Sequence, residues 1–303
     1  MGAKRIEGIV TPVVTPLMAD GQLDREGVFR HQDFLLKRGI AAIFVLGTTG
    51  EGPALPPALR HEMIRVSREA TAGRAPLLVG ISSASVEETL ALARFAAEAG
   101  ADGVVAAPPC YLPLEEPELL EFYRILATEQ PLPLYIYNMP AMTKITLSPE
   151  LVIRIAGLPN VAGYKDSAGD FAAFERVAEA LKARDDFSLF MGPDALLGRA
   201  LVAGACGGVN SGSNAAPEFF TGMLRAVREG DAAAVARWQR EIDGLQAIYQ
   251  FRENICCGVA AGLKYALAQL GLCGPALTRP ARPMEPQPVI DAFVRHYREM
   301  TAP

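Results

Sequence analysis

Eight times over, a strand-sized apolar run in this chain gives way to a segment of helical periodicity, and that rhythm limits the folds open to it. The runs occupy residues 8–16, 43–47, 77–81, 103–107, 134–137, 161–164, 187–191 and 206–209, at intervals of roughly 25–35 residues apart from a shorter seventh unit. Helix punctuation lies between them. Asp24 stands where an N-cap is wanted and Gly39 where that helix stops, Ser85-Val-Glu-Glu88 has the form of a capping box, and Ser148-Pro149 puts proline at a first helical position. The spacing predicts further helices over 57–72, 117–129, 171–183, 195–202 and 217–229. Residues 231–303 carry no strand signal, and helices are expected there over 231–249, 254–270 and 286–300.

Alternation of this kind belongs to parallel strands joined by helices, and eight units suit a closed α/β (β/α)8 TIM barrel. An open doubly wound sheet gives similar alternation with fewer units, and no G-x-G-x-x-G follows the first run to favour it. The expected organisation is a barrel over residues 1–230 with a C-terminal helical extension, 231–303, packed on it. With 303 residues, 50% of them hydrophobic, the chain can fill one large core.

Three runs turn abruptly polar at their carboxyl ends, and in a barrel those ends surround one mouth. The second run leads into Gly47-Thr48-Thr49-Gly50-Glu51, the fifth ends on Tyr137 and Asn138, and the sixth continues into Lys165, Asp166 and Ser167. Tyr111, Gly192, Asp194 and Ser211 fall at the ends of other runs. The lysines are at 4, 37, 144, 165, 182 and 264, and Lys165 alone directly continues an apolar strand. An ammonium facing a barrel interior is poorly hydrated, which favours the free amine. Such an amine condenses with a ketone into a Schiff base, an electron sink for making or breaking a C–C bond.

Each feature also has a plainer explanation. Lys165 could pair with Asp166 and merely close a strand, and Tyr137 could be a core tyrosine with a satisfied hydroxyl. The GTTGE turn could be only a tight connection, although its two glycines would also let backbone N–H groups approach an anion. Their coincidence at one mouth favours a site with Lys165 as its nucleophile.

A net charge of -5 and a pI near 5.4 offer nothing to nucleic acid. The longest apolar runs are strand-sized, so no membrane span is expected. Residues 1–6 lack a signal-peptide apolar region, and Ile6 sits where a myristoylation motif wants Ser or Thr. Cysteines 110, 206, 256, 257 and 273 show no CxxC spacing and no nearby histidines, and read as free thiols in a reducing cytoplasm. His31, His61 and His296 all fall in predicted helices, where solvated faces account for them. A metal-dependent aldolase would need ligands at the strand ends, so neither a metal nor a cofactor is expected.

The motifs Gly8-Ile-Val-Thr-Pro12, GTTGE at 47–51, PPCYLP at 108–113, YNMP at 137–140, GYKDS at 163–167 and GGVNS at 207–211 together resemble one family. It is the dihydrodipicolinate synthase/N-acetylneuraminate lyase family of class I pyruvate-dependent aldolases, and the likeness runs nearly full length. The resemblance implies that Lys165 forms a Schiff base with pyruvate or another 2-keto acid. It implies that Thr48 and Thr49, following Gly47, hold the carboxylate, and that Tyr137 is the general acid/base. Tyr111 would extend the proton relay across a subunit interface, and Gly192 would sit near the bound keto acid, with Ser167 close by. The partners implied are the keto acid, an aldehyde and further copies of the chain, in a homotetramer built as a dimer of dimers.

The departures bear on substrate. True dihydrodipicolinate synthases carry an arginine two residues beyond the YN-x-P proline, for the carboxylate of aspartate semialdehyde, and this chain has Met142 there. A thioether cannot replace a guanidinium fork. Pro53, Pro57 and Arg60 stand at polar or histidine positions of the lysine-feedback site, and Cys110 replaces a tyrosine. N-acetylneuraminate lyases follow the strand-seven Asp with Glu, whereas Asp194 is followed by Ala195. The expectation is a lyase for a smaller keto-deoxy sugar acid or hydroxy-keto acid, with Asp194, Asn210 and Ser211 as hydroxyl binders. The alternatives are a 4-hydroxy-tetrahydrodipicolinate synthase, an N-acetylneuraminate lyase or a keto-deoxy sugar acid dehydratase of the same family, and, outside enzymes, a catalytically silent binding paralogue.

Overall fold

A computed structural model describes residues 5–249, 255–285 and 287–302. Eight parallel strands pair in chain order and close, the last returning to the first. They are β1 Gly8–Pro12, β2 Ala42–Val45, β3 Leu77–Gly80, β4 Gly103–Ala106, β5 Leu134–Asn138, β6 Val161–Asp166, β7 Ser188–Met191 and β8 Gly207–Val209. Helices α1 Arg25–Leu36, α2 Pro57–Thr71, α3 Val86–Glu98 and α4 Glu116–Glu129 follow the first four strands. A short α5 Pro140–Thr143 and α6 Pro149–Ala156 follow β5, and α7 Phe171–Leu181, α8 Leu197–Val202 and α9 Pro217–Glu229 follow the last three. The tail is α10 Ala232–Gly244, α11 Gln246–Tyr249, α12 Ile255–Gln269 and α13 Pro288–Thr301. The fold is therefore the closed (β/α)8 barrel with C-terminal helices, and the pairing of β8 with β1 rules out the open sheet.

The strands are buried on both faces, which is why they read as continuous apolar runs rather than alternating ones. One set of their side chains packs under the helices, and the other, including Val10, Phe44, Leu78, Val105, Tyr135 and Phe190, fills the barrel interior. Tyr135 is part of that filling. A methyl group on Gly163, in the adjoining strand, would lie 2.5 Å from the Tyr135 ring and 2.7 Å from the Ser188 carbonyl.

Boundaries shifted where side chains took over from the ladder. The first strand stops at Pro12 rather than residue 16, because the Val14 N–H turns to the Asn214 side chain at 3.0 Å. Lys165 and Asp166 belong to β6 itself and are not a loop beyond it. The helix expected over 231–249 breaks at Leu245, after Gly244. At Ser85 only half the capping box forms: its hydroxyl accepts from the Glu88 N–H at 3.3 Å, while the Glu88 carboxylate takes the Ser83 hydroxyl at 2.6 Å. The expected helix starts at Asn254 and Pro286 lie outside the described residues, as do the side chains of Cys256 and Cys257.

His31 corrects the expectation of solvated histidines. It is buried inside α1 with its Nε2 3.2 Å from the Asn214 carbonyl, and burial drives its pKa down to about 4. Among the described residues, no helix is long and apolar enough to cross a membrane.

The packing at Gly163 yields a test of the barrel interior. Gly163→Ala should cost about 1–3 kcal/mol of stability, the usual toll of overpacking a filled core. Denaturant unfolding measures it, and a variant as stable as the wild type would mean that Tyr135 does not fill this space.

Candidate active site

The strand register sets Tyr137 of β5 and Phe190 of β7 on either side of Lys165 in β6. Successive side chains of a strand point to opposite faces. Lys165 therefore enters the barrel, while Tyr164 and Asp166 point out towards the helices. The Lys165 side chain is buried, with its Nζ 4.1 Å from the centre of the Tyr137 ring and 5.4 Å from that of Phe44. Phe44, Leu78, Val105, Tyr135, Phe190 and Val209 line a small apolar void with it.

Asp166 is engaged elsewhere. Its Oδ1 accepts from the Tyr164 hydroxyl at 2.7 Å and from Asn138 Nδ2 at 3.1 Å, and Asn138 Oδ1 accepts from the Leu147 N–H at 3.1 Å. Burial raises the Asp166 pKa, against the pull of these donors. Among the described residues, Lys165 makes no ion pair with any carboxylate. The explanation of Lys165 as a strand-closing partner of Asp166 is thereby set aside.

The turn after β2 brings hydroxyls to the same mouth. It is bracketed by two non-glycine residues in left-handed backbone, Leu46 with φ 60° and Glu51 with φ 55°. Such conformations are uncommon and persist where surrounding bonds over-determine them. Here the Thr15 hydroxyl donates to the Gly50 carbonyl at 2.6 Å, and the N–H groups of Glu51 and Gly52 donate to the carbonyls of Thr48 and Gly47 at 3.0 and 3.2 Å. The Thr48 hydroxyl lies 3.4 Å from the Tyr137 hydroxyl, and the Thr49 hydroxyl 2.7 Å from that of Ser211. Thr48, Tyr137 and Lys165 thus converge, with Thr49 and Ser211 beside them.

The ends of β7 and β8 brace this cluster. Gly192 donates its N–H to the Asp166 carbonyl at 2.7 Å, and a methyl group on it would fall 2.0 Å from the Ser167 hydroxyl, so only glycine fits. Asn210 and Asp194, the expected hydroxyl binders, both hydrogen-bond other groups of the chain. Asn210 is fully buried and donates to the Gly192 carbonyl at 3.0 Å. Asp194 Oδ2 accepts from the Tyr249 hydroxyl at 2.7 Å and the Gly212 N–H at 3.0 Å, tying the β8 turn to the tail. Asn210 Oδ1 is buried and finds no hydrogen-bond partner among the described residues.

Two other expected residues stand apart. Met142 is 37% exposed on α5, and Tyr111 is 94% exposed with φ 84°, outside the cluster of its own chain. Two further contacts lie outside the motifs: Asn214 joins the Pro12 carbonyl, the Ser211 carbonyl and the Val14 N–H, and Glu51 pairs with Lys264. A lone lysine within the apolar stretch Ile255–Gln269 was the available signal for the latter.

Burial pushes the Asp194 carboxyl from 3.8 up to about 6, only partly offset by its donors. The folded state then binds this proton more tightly than the unfolded chain. The resulting stability is full below about pH 4 and is lost as pH rises to about 6. Relative to Asp194→Asn, the wild type should lose roughly 3 kcal/mol between about pH 4 and pH 7. Denaturant unfolding of both proteins across that range checks this, and parallel pH curves would contradict it.

Known proteins bear on the same geometry. A model of the Dihydrodipicolinate synthetase family matches residues 5–289. The chain is 33% identical over 271 residues to the probable 2-dehydro-3-deoxy-D-pentonate aldolase YjhH of Escherichia coli (strain K12), covering 89% of each chain. The solved dihydrodipicolinate synthase from Bacteroides thetaiotaomicron superposes with a TM-score of 0.90 at 40% identity, over 97% of this chain and 98% of that one. YagE, a prophage protein of the dihydrodipicolinic acid synthase family from E. coli K12 solved in complex with pyruvate, gives 0.88 at 29% identity, over 97% and 98%. The chain belongs to the Dihydrodipicolinate synthetase family, whose members are class I pyruvate-dependent lyases working through a lysine Schiff base without an external cofactor.

Proposed function

We propose that Lys165 is the Schiff-base nucleophile of a lyase joining or separating pyruvate and an aldehyde, acting on a small 2-keto-3-deoxy sugar acid or hydroxy-keto acid. The carrying observation is the Lys165 side chain itself, buried against the Tyr137 ring and without an ion-pair partner among the described residues. In the cleavage direction, the amine adds to the C2 carbonyl and water leaves, giving an iminium ion. Tyr137 takes the proton of the C4 hydroxyl as the C3–C4 bond breaks, the aldehyde departs, and the bond electrons rest in an enamine. Protonation at C3 and addition of water then release pyruvate and restore the amine. Thr48, 3.4 Å from the Tyr137 hydroxyl, relays the proton. Thr48 and Thr49 hold the keto-acid carboxylate in the turn after Gly47, with Gly192, Ser167 and Ser211 around it.

Met142 supports the substrate assignment. It stands where the resemblance places the synthases' carboxylate-binding arginine, and the next cation along, Lys144, is folded back onto the Ala141 carbonyl at 2.9 Å. The YjhH likeness points the same way, towards a keto-deoxy sugar acid. The B. thetaiotaomicron likeness favours 4-hydroxy-tetrahydrodipicolinate synthesis instead, and the two make different predictions. Pyruvate release should be faster from 2-keto-3-deoxy sugar acids and 4-hydroxy-2-oxoglutarate than condensation of pyruvate with aspartate semialdehyde. Water loss without pyruvate release would mark a dehydratase.

The exposed, left-handed Tyr111 supports a relay residue lent to a neighbouring subunit, within a homotetramer of paired dimers. The unpaired Cys110, Cys206 and Cys273 suit a reducing cytoplasm.

A charge-assisted contact to a carboxylate is worth ~1.5–3 kcal/mol, so its absence at Met142 should cost roughly tenfold to a few-hundredfold in kcat/KM for aspartate semialdehyde. Met142→Arg should raise that turnover while leaving Schiff-base formation with pyruvate nearly unchanged. Wild-type condensation above ~10⁴ M⁻¹s⁻¹ would overturn the substrate assignment. For the assembly, light scattering should find an oligomer at assay concentration, and a fully active monomer would refute the shared Tyr111.

A further inference from the structure

The carboxylate of Glu51, the last residue of the GTTGE turn, is gripped from the C-terminal tail. One oxygen lies 2.6 Å from Lys264 Nζ in α12, and the other accepts from both the N–H and the hydroxyl of Thr278, at 2.8 and 2.7 Å. Lys264 also donates to the Ala276 carbonyl at 2.7 Å, so α12 and the segment 276–278 are tied to each other as well as to Glu51. The Lys264 side chain is 0% exposed and that of Glu51 10%. Burying an ion pair is poor value for stability alone, since an apolar pair of the same volume would serve as well or better. A place in the fold where directed, charged contacts are kept regardless invites a role in holding geometry.

Glu51 is where such holding matters. It is one of the two left-handed residues bracketing the turn, and its own N–H donates to the Thr48 carbonyl at 3.0 Å. A shift at Glu51 therefore reaches Thr48 through a single hydrogen bond, and Thr49 is the next residue along. We infer that Glu51 and Lys264, with Thr278, are positioning residues that keep Thr48 and Thr49 in register for the keto-acid carboxylate, so that the C-terminal tail sets keto-acid affinity. This rests on the assignment of Lys165 and the Thr48–Thr49 turn made above. It assigns the tail a part in substrate binding that does not require it to touch substrate.

The test compares Lys264→Met, Thr278→Val and a control, Arg38→Ala, in the full-length protein. Arg38, in the turn after α1, pairs with Glu218 of α9 at 2.6 Å, so its loss reports on stability alone. The readouts are the pyruvate concentration giving half-maximal borohydride trapping, the steady-state kcat and KM for pyruvate-releasing cleavage, and the melting temperature. Lys264→Met should raise the half-saturating pyruvate concentration about tenfold or more, as expected when a hydrogen-bonded charge is lost. Thr278→Val, which keeps the ion pair and the backbone N–H, should raise it about threefold, and both should move KM more than kcat. Arg38→Ala should lower the melting temperature and leave the half-saturation where it was. Should Lys264→Met fail to fold, Thr278→Val decides. Folded tail variants with wild-type half-saturation, or an equal change in Arg38→Ala, would overturn the positioning role. A wild type that traps no pyruvate on Lys165 would instead bring down the Schiff-base assignment, and the inference with it.

Discussion

A strand turns successive side chains to opposite faces, and at the end of β6 this separates a buried cation from the carboxylate beside it in sequence. Lys165 enters the barrel, and Asp166 meets Tyr164 and Asn138 on the outer face. A slip of one residue would exchange the two, place an acid in the mouth and neutralise the nucleophile's advantage. The closed register guards against that slip, because β6 is paired on both sides and sets Tyr137 and Phe190 level with Lys165. The same alternation gives the amine its apolar and aromatic surroundings.

Around that residue the mouth is assembled from parts of the chain that lie far apart. The hydroxyls of Thr11 in β1 and Ser213 in the turn after β8 meet at 2.9 Å, and Asn214 serves backbone groups of both ends. Each buried polar group so engaged is costly to leave alone and specific once paired. That cost and specificity hold strained backbone such as Leu46 and Glu51 in place. The tail contributes two of the ties, Tyr249 to Asp194 and Lys264 to Glu51. The site is thus supported from below by the packed interior and from outside by the helices that follow the barrel.

Much of this was legible in the sequence, for definite reasons. Buried parallel strands leave continuous apolar runs, and helix caps such as Asp24 and Ser148 leave residue types that the structure uses as caps. Lys165, Tyr137 and Thr48 could be picked out because each ends or follows such a run. What periodicity does not carry is the partner of a side chain distant in sequence. Asp194 and Asn210 occur at strand ends, yet the Tyr249 hydroxyl, the Gly212 N–H and the Gly192 carbonyl that they meet are brought near only by the folded barrel. Glu51 meets Thr278 across 227 positions, and no local pattern announces that contact. Tyr111 is the converse case, an aromatic ring that its own chain leaves in solvent.

The central claim is that Lys165 is the amine that bonds to the keto acid, and chemical trapping addresses it most directly. Borohydride added with pyruvate should attach one three-carbon unit per chain, found by peptide mass mapping on the segment containing Lys165, and Lys165→Ala should abolish the adduct while retaining the fold. An adduct on Lys144 or Lys264, or none on a folded wild-type protein, would contradict the account.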